Sequence, residues 1–399
     1  MTHLRLHNHL KDIFSLAPSE IDWPDELAFR NYDFVSAGTR HSARKPQTPP
    51  TDLQGRLPAT TNLGDLFTKP DSEIAENVKF RHFVVGPRQE KKSDAAIILL
   101  HGLNERFWDK YLPMAAHLTK TTGKSVLCFP TAFHMNRAPA LWTDARAMRA
   151  VSQWRKLIYP NILECSLSNA AISHRLEEDA SRFFWSGLQT YGDIVSLTRS
   201  IRAGEHPAFA PGASVDFFTY SIGCYISELL FMANEDNLFS DSRLVLFCGG
   251  PVFSRMNAVS KFILDSKADE KLGKFLIENL PEHRKNDPFL DENLGKTEIG
   301  RTFLSMIEPN IGRQLREKRL RGMAGRVKAL ALELDTVVPA GEVIKTLKGY
   351  KGDIPISISV ANPDYPYRHE DPFPTLPKHE ASVDRWFKLI MDEAANFLR

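Results

Sequence analysis

Cysteine is scarce. The 399 residues hold four (Cys128, Cys165, Cys224 and Cys248), with no C-x-x-C pair among them. That spacing supports neither zinc nor dithiol chemistry, and a reducing cytoplasm is the expected compartment. An excess of one charge is also missing: 51 Lys and Arg balance 49 Asp and Glu, a formal net charge of +2. Nothing in that balance draws the chain to nucleic acid or marks an acidic tail. Long apolar runs are absent. The longest purely aliphatic one is Ala95–Leu100, whereas a membrane-spanning helix needs about 20 residues. The N-terminal MTHLRLHNHLKDIF lacks the apolar core of a signal peptide. No H-E-x-x-H, no GxxxxGK[ST] and no G-x-G-x-x-G after a strand occurs, so no metal, nucleotide or other cofactor is expected. The basic stretch 313–326 alternates with apolar residues and reads as a charged helix face.

What is present is an ordinary globular composition, 42% hydrophobic and 25% charged, which excludes a disordered chain. The first 77 residues carry no strong period, and 46–61 (PQTPPTDLQGRLPATT) reads as an extended linker or surface loop. A strand-like stretch follows at Val78–Val85. From Asp94 onward, apolar strand runs alternate with helical patterns. Ala95–Leu100, Ser125–Phe129, Val215–Thr219, Leu244–Cys248, Val327–Leu334 and Ile356–Val360 are the expected strands. Tyr111–Leu118, Arg175–Ile201 and the C-terminal stretch around Trp386, Phe387, Ile390 and Phe397 are the expected helices. Such alternation predicts an α/β fold, a mostly parallel sheet with helices on both faces, and chemistry at the carboxyl ends of the strands. Residues 254–326 read as helical and are far longer than a crossover requires. They are expected to form a helical cap insertion over the strand ends, the alternative being a peripheral lobe. The expected organisation is an N-terminal extension (1–77), a core (78–253 and 327–399) and the insertion.

The sharpest local signal is Asp216-Phe217-Phe218-Thr219-Tyr220-Ser221-Ile222-Gly223-Cys224. An apolar strand runs into Ser221 and a helix begins at once. A serine on so tight a turn needs small residues two before and two after it. Thr219 and Gly223 meet that need, Thr219 less comfortably than glycine would. The helix start also turns backbone N–H groups towards the serine. The competing reading is a serine helix cap without chemistry.

Here the chain resembles the α/β-hydrolase superfamily, whose nucleophile elbow is G-x-S-x-G; Thr219 departs from it at the first glycine. Leu99-Leu100-His101-Gly102-Leu103 resembles the His-Gly end of the family's third strand. The resemblance implies Ser221 as nucleophile, with an oxyanion hole formed by the backbone N–H groups of Leu103 and Ile222. It also implies a triad in the chain order Ser, acid, His. Leu332-Glu333-Leu334-Asp335-Thr336-Val337-Val338-Pro339 matches the family pattern D-x-x-V-P and makes Asp335 the acid, ahead of Glu333, or else a turn aspartate. His369, after the last expected strand, is the implied base, with His379 as the rival. His134 and Arg137, in the loop after the family's fourth strand, are candidates to orient a polar or anionic substrate group, against a solvated loop with capping roles. Glu105 and Arg106 suggest a local ion pair, and Cys224 a small buried apolar group.

The implied activity is hydrolysis of a carboxylic ester or a related small-molecule acyl substrate through an acyl-enzyme, with no cofactor. The alternatives are a non-catalytic binding protein or an acyltransferase on the same fold. No nucleic-acid partner is expected, and the oligomeric state stays open.

Overall fold

A computed structural model describes residues 1–38, 51–57, 61, 63–67, 69–89 and 92–399. Of the Pro- and Thr-rich stretch 46–61, residues 46–50 and 58–60 lie outside the described residues.

Nine strands form one sheet in the order β1-β2-β3-β5-β4-β6-β7-β8-β9. They are β1 (Glu20–Asp22), β2 (Leu27–Val35), β3 (Lys79–Pro87), β4 (Ser93–Leu100), β5 (Ser125–Phe129), β6 (Phe209–Tyr220), β7 (Leu244–Phe247), β8 (Val327–Leu332) and β9 (Ser357–Ala361). From β5 to β9 every pairing is parallel, while β1, β2 and β3 add an antiparallel edge. This is an α/β-hydrolase fold.

The central strands are apolar at consecutive positions because both faces are covered. Ala96, Ile98 and Leu100 enter one core, and Ile97 and Leu99 the other. Phe217 and Phe218 part in the same way on β6. Among the described residues, the α-helices of eight residues or more are α1 (His3–Ile13), α2 (Tyr111–Thr122), α3 (Ala145–Ile158), α4 (Ala170–Glu178), α5 (Arg182–Ala203), α6 (Ile222–Ala233), α7 (Ser266–Gly273), α8 (Glu298–Ser305), α9 (Arg313–Met323), α10 (Ala340–Lys348) and α11 (Glu380–Leu398). Residues of α5, α6 and α10 fill the first core, and those of α1, α2 and α11 the second.

The first residues are more structured than their lack of period suggests. Leu10 of α1, Trp23 and Phe29 are almost fully buried in the second core. Their pattern is irregular because a short helix and two edge strands share it. The single helix expected over Arg175–Ile201 is two. Asp179 is extended (φ −146°, ψ 94°), and its carboxylate accepts the backbone N–H of Ser181 at 3.0 Å, a local turn that competes with the helix. The strand expected to run to Leu334 ends at Leu332, which leaves Asp335 on the following loop.

No helix among the described residues is long and apolar enough to cross a membrane.

Candidate active site

The register brings the ends of five strands, β4 and β6 to β9, to one side. Leu100 pairs with Thr219, Tyr220 with Phe247, and Leu332 with Ala361. The loops that follow therefore open on one edge of the sheet.

Ser221 joins β6 to α6 in a sparsely populated conformation (φ 56°, ψ −120°). Such a backbone costs of order 1–3 kcal/mol and persists only where its surroundings hold it. They do so here. The Ser221 N–H donates to the Phe247 carbonyl at 3.2 Å. A Cβ on Gly223 would lie 2.9 Å from the Leu100 and His101 carbonyl oxygens, so glycine lets the helix start sit against the end of β4. Thr219 fits because its hydroxyl, buried in the sheet, donates to the Val245 carbonyl at 3.1 Å.

Ser221 Oγ is 2.7 Å from His369 Nε2, and His369 Nδ1 is 2.7 Å from Asp335 Oδ2. A carboxylate only accepts, so Nδ1 carries the proton and Nε2 presents its lone pair to the serine hydroxyl. The second oxygen of Asp335 accepts the N–H groups of Val337 and Val338, each at 2.9 Å, which locks the carboxylate plane. His379 stands at the start of α11, and Glu333 is exposed on its loop; neither bonds Ser221 or His369.

Leu103 and Ile222 flank the serine, and among the described residues neither backbone N–H has an intramolecular acceptor. Buried His101 shapes the loop before Leu103. Its Nε2 accepts the Thr131 N–H at 3.0 Å, so Nδ1–H donates to the Gly102 carbonyl at 2.9 Å. Burial pushes this imidazole far below its usual pKa and keeps it neutral.

A polar bridge not foreseen in the sequence joins this loop to the histidine loop. Gly102 N–H donates to the Tyr111 hydroxyl at 2.9 Å, and that hydroxyl donates to Glu105 at 3.2 Å. Glu105 pairs with Lys110, whose Nζ donates to the Glu370 carbonyl at 2.8 Å and lies 4.5 Å from the Tyr220 ring centre. The Tyr220 hydroxyl in turn donates to the His369 carbonyl. The expected Glu105–Arg106 pair is therefore corrected. Arg106 bonds the Ser168 and Trp142 carbonyls instead, because an adjacent pair diverges as the chain turns.

Arg137 is also corrected. It is wholly buried, bonded to Asp193 at 2.9 Å and to the Pro130 carbonyl at 3.0 Å, and lines neither cavity at the serine. His134 does line a cavity. Its Nδ1–H donates to the Ala132 carbonyl at 2.8 Å, and burial lowers its pKa to about 4. Cys224 is buried, with its thiol on the Thr219 carbonyl at 3.1 Å.

Two cavities meet here, sharing Leu103, Phe183 and Ile222. The first runs between α4, α5 and α6 past Ile172, Leu176, Phe184 and Leu229. The second contains Ser221 and extends past Phe253, Met256, Leu264 and Leu272. Residues of 254–326 line both, Phe303 in the first and Leu272 in the second. The contribution of α4 and of the start of α5 escaped the sequence reading, since an apolar helix face looks the same whether it meets core or cavity.

A family model described as "Family of unknown function (DUF6051)" matches residues 1–399. No curated protein matches the sequence. Among solved structures, the chain is similar to carboxyl esterase 2 of the mycorrhizal fungus Tuber melanosporum (11% identity, TM-score 0.40, 80% of this chain and 81% of that one). It is also similar to a cold-adapted esterase from an Arctic intertidal metagenomic library (11%, TM-score 0.39, 97% and 100%). A third is the acylaminoacyl peptidase of Pyrococcus horikoshii (11%, TM-score 0.39, 80% and 40%).

Proposed function

We propose that this chain, which belongs to the DUF6051 family, is a serine hydrolase that cleaves an ester or related acyl bond through an acyl-enzyme. The observation that carries this reading is the unbroken hydrogen-bonded line from Ser221 Oγ through His369 to Asp335, each step 2.7 Å. His369 Nε2 takes the hydroxyl proton as Oγ attacks the carbonyl carbon. Asp335 holds the ring in its Nδ1–H tautomer and stabilises the imidazolium. The oxyanion meets the N–H groups of Leu103 and Ile222, an effect typically worth about 3–4 kcal/mol per donor. Collapse of the adduct transfers the proton to the departing alcohol. A water deprotonated by the same nitrogen then releases the acid and restores Oγ–H.

The strained backbone of Ser221 favours catalysis over a decayed, purely binding role, because a mere helix cap has no need of φ 56°. On this reading, residues 254–326 act as a cap, and the two largely apolar cavities receive the two parts of an acyl substrate that flank the scissile bond.

A fluorophosphonate probe should label the wild type and leave Ser221→Ala unlabelled, with His369→Ala labelled at least about 100-fold more slowly. Equal labelling of wild type and Ser221→Ala would remove the proposal.

A further inference from the structure

The two cavities differ in charge. The first contains Arg175 and Arg182, both already engaged: Arg175 holds Asp71 at 2.8 and 2.7 Å, and Arg182 holds Glu178 at 2.9 Å. The second has one ionisable lining side chain, Asp269. It sits in the first turn of α7, a helix anchored by its cap Asp265, which receives Arg155 at 2.8 and 2.9 Å. Among the described residues, Asp269 has neither an ion-pair partner nor a side-chain hydrogen bond, and burial alone raises its pKa, with no neighbouring charge contributing. Of the neighbouring lysines, Lys267 and Lys274 both pair with Glu270, at 2.9 and 2.7 Å, and Lys271 lines a separate cleft with Glu178 and Asp179.

A carboxylate drawn partly out of water among Ile263, Leu264, Leu272 and Met256 is unfavourable without a counter-charge. The same cavity offers two aromatic rings, Phe183 and Phe253, packed 5.5 Å apart at 60°. Ring faces beside an unpaired carboxylate are the two attractions that hold an alkylammonium group.

We propose that the second cavity binds a cationic, alkylammonium-bearing part of the acyl substrate, with Asp269 as its counter-ion and Phe183 and Phe253 against its alkyl groups. This rests on the serine-hydrolase reading for the chemistry but not for the binding. Choline and its neutral isostere 3,3-dimethylbutan-1-ol separate charge from shape. Calorimetric titration of the full-length chain should show choline binding at least about 10-fold tighter. The preference should fall to near parity in Asp269→Asn and persist in Glu270→Gln, which removes a neighbouring charge outside the cavity. Equal binding of the two ligands, no binding of choline, or an undiminished preference in Asp269→Asn would overturn the inference.

Turnover is read separately, by comparing butyrylcholine with 3,3-dimethylbutyl butyrate, and a methyl ester with the ammonium on its acyl side with its neutral analogue. Cation binding without hydrolysis of any of these esters would count against the hydrolase reading and leave the site standing. Hydrolysis without cation preference would do the reverse.

Discussion

At the scale of single residues, Gly223 and Lys110 illustrate two kinds of constraint. Gly223 is required by contact. A methyl group there meets two carbonyl oxygens and the Leu100 Cβ, all at 2.9 Å, and these belong to the strand end that carries the Leu103 loop. Gly223→Ala is expected to lower the melting temperature and to cut kcat at least about 10-fold; unaltered kinetics would show that the loop yields without consequence. Lys110 is required by connection. It neutralises Glu105 on one side and holds the Glu370 carbonyl, next to His369, on the other. In Lys110→Met the histidine loop loses that anchor while both cavities keep their walls. The expected signature is kcat down by about 10-fold with KM within about 2-fold, and partial recovery in Lys110→Arg. A rise in KM alone would mean that Lys110 shapes the binding site and not the proton relay. Nothing local announced this role, because an exposed helix-start lysine and a half-buried bridging one are the same letter.

At the scale of elements, two attachments decide how the site is held. The antiparallel edge is one. Phe29 on β2 is fully buried and packs on Phe83, Trp23 and Phe14 at ring distances of 4.7, 5.7 and 5.2 Å. Phe29→Ala should therefore cost about 3–5 kcal/mol in denaturant unfolding; a loss below about 1 kcal/mol would show that the edge is dispensable to the core. The bidentate Arg155–Asp265 pair is the other, joining α3 to the cap of α7. Asp265 also accepts the N–H groups of Lys267 and Ala268. Asp265→Ala leaves a buried guanidinium without its main partner and should destabilise the protein by about 3–5 kcal/mol, loosening the wall of the second cavity. Most of the expected strands were readable to within a residue or two because a run such as Ser125–Phe129 is apolar on both faces and too short for a helix, but β6 starts at Phe209, well before the expected Val215, and the edge strands β1 and β2 were not read. The break between α4 and α5 was not. The apolar spacing continues across it, and only the turn made by Asp179 interrupts the backbone.

At the scale of the whole molecule, buried imidazoles set the response to acid. Burial is the main cause that lowers His3 to about 3 and His134 and His206 to about 4, with His82 and His101 also well below 6.5. The unfolded chain takes up protons at these positions below 6.5, while the folded chain does not until pH is far lower. Their contribution is thus complete above pH 6.5 and is lost as pH falls towards 4. Glu228, with Asp193, Asp269 and Asp371, is raised by burial and works in the opposite direction: these folded carboxyls keep protons that the unfolded forms release above about 4. The five imidazoles outnumber the four carboxyls, so the melting temperature should drop from pH 7 to pH 5. The slope should be shallower when the bonded pair His82 and His206, 2.9 Å apart, is replaced by leucine. A flat profile over that range would contradict the neutral burial of these rings.

The amino-acid sequence alone determined the alternation of doubly buried strands and helices, the strand-to-helix turn at Ser221 with its need for Gly223, and the short list of histidines and acids that could serve it. The first two follow from periodicity and sterics within a few neighbouring residues; the short list is what the resemblance to the α/β-hydrolase superfamily implies. Tertiary structure alone decided that His369 and not His379 lies 2.7 Å from Ser221. It also decided that Arg137 is taken by Asp193, that Glu105 meets Lys110, and that Asp269 lines a cavity to which the described residues bring no cationic side chain. Each of those outcomes depends on how segments remote in the chain, or side chains around a turn, are brought together by the packing of two cores, and no local pattern encodes that.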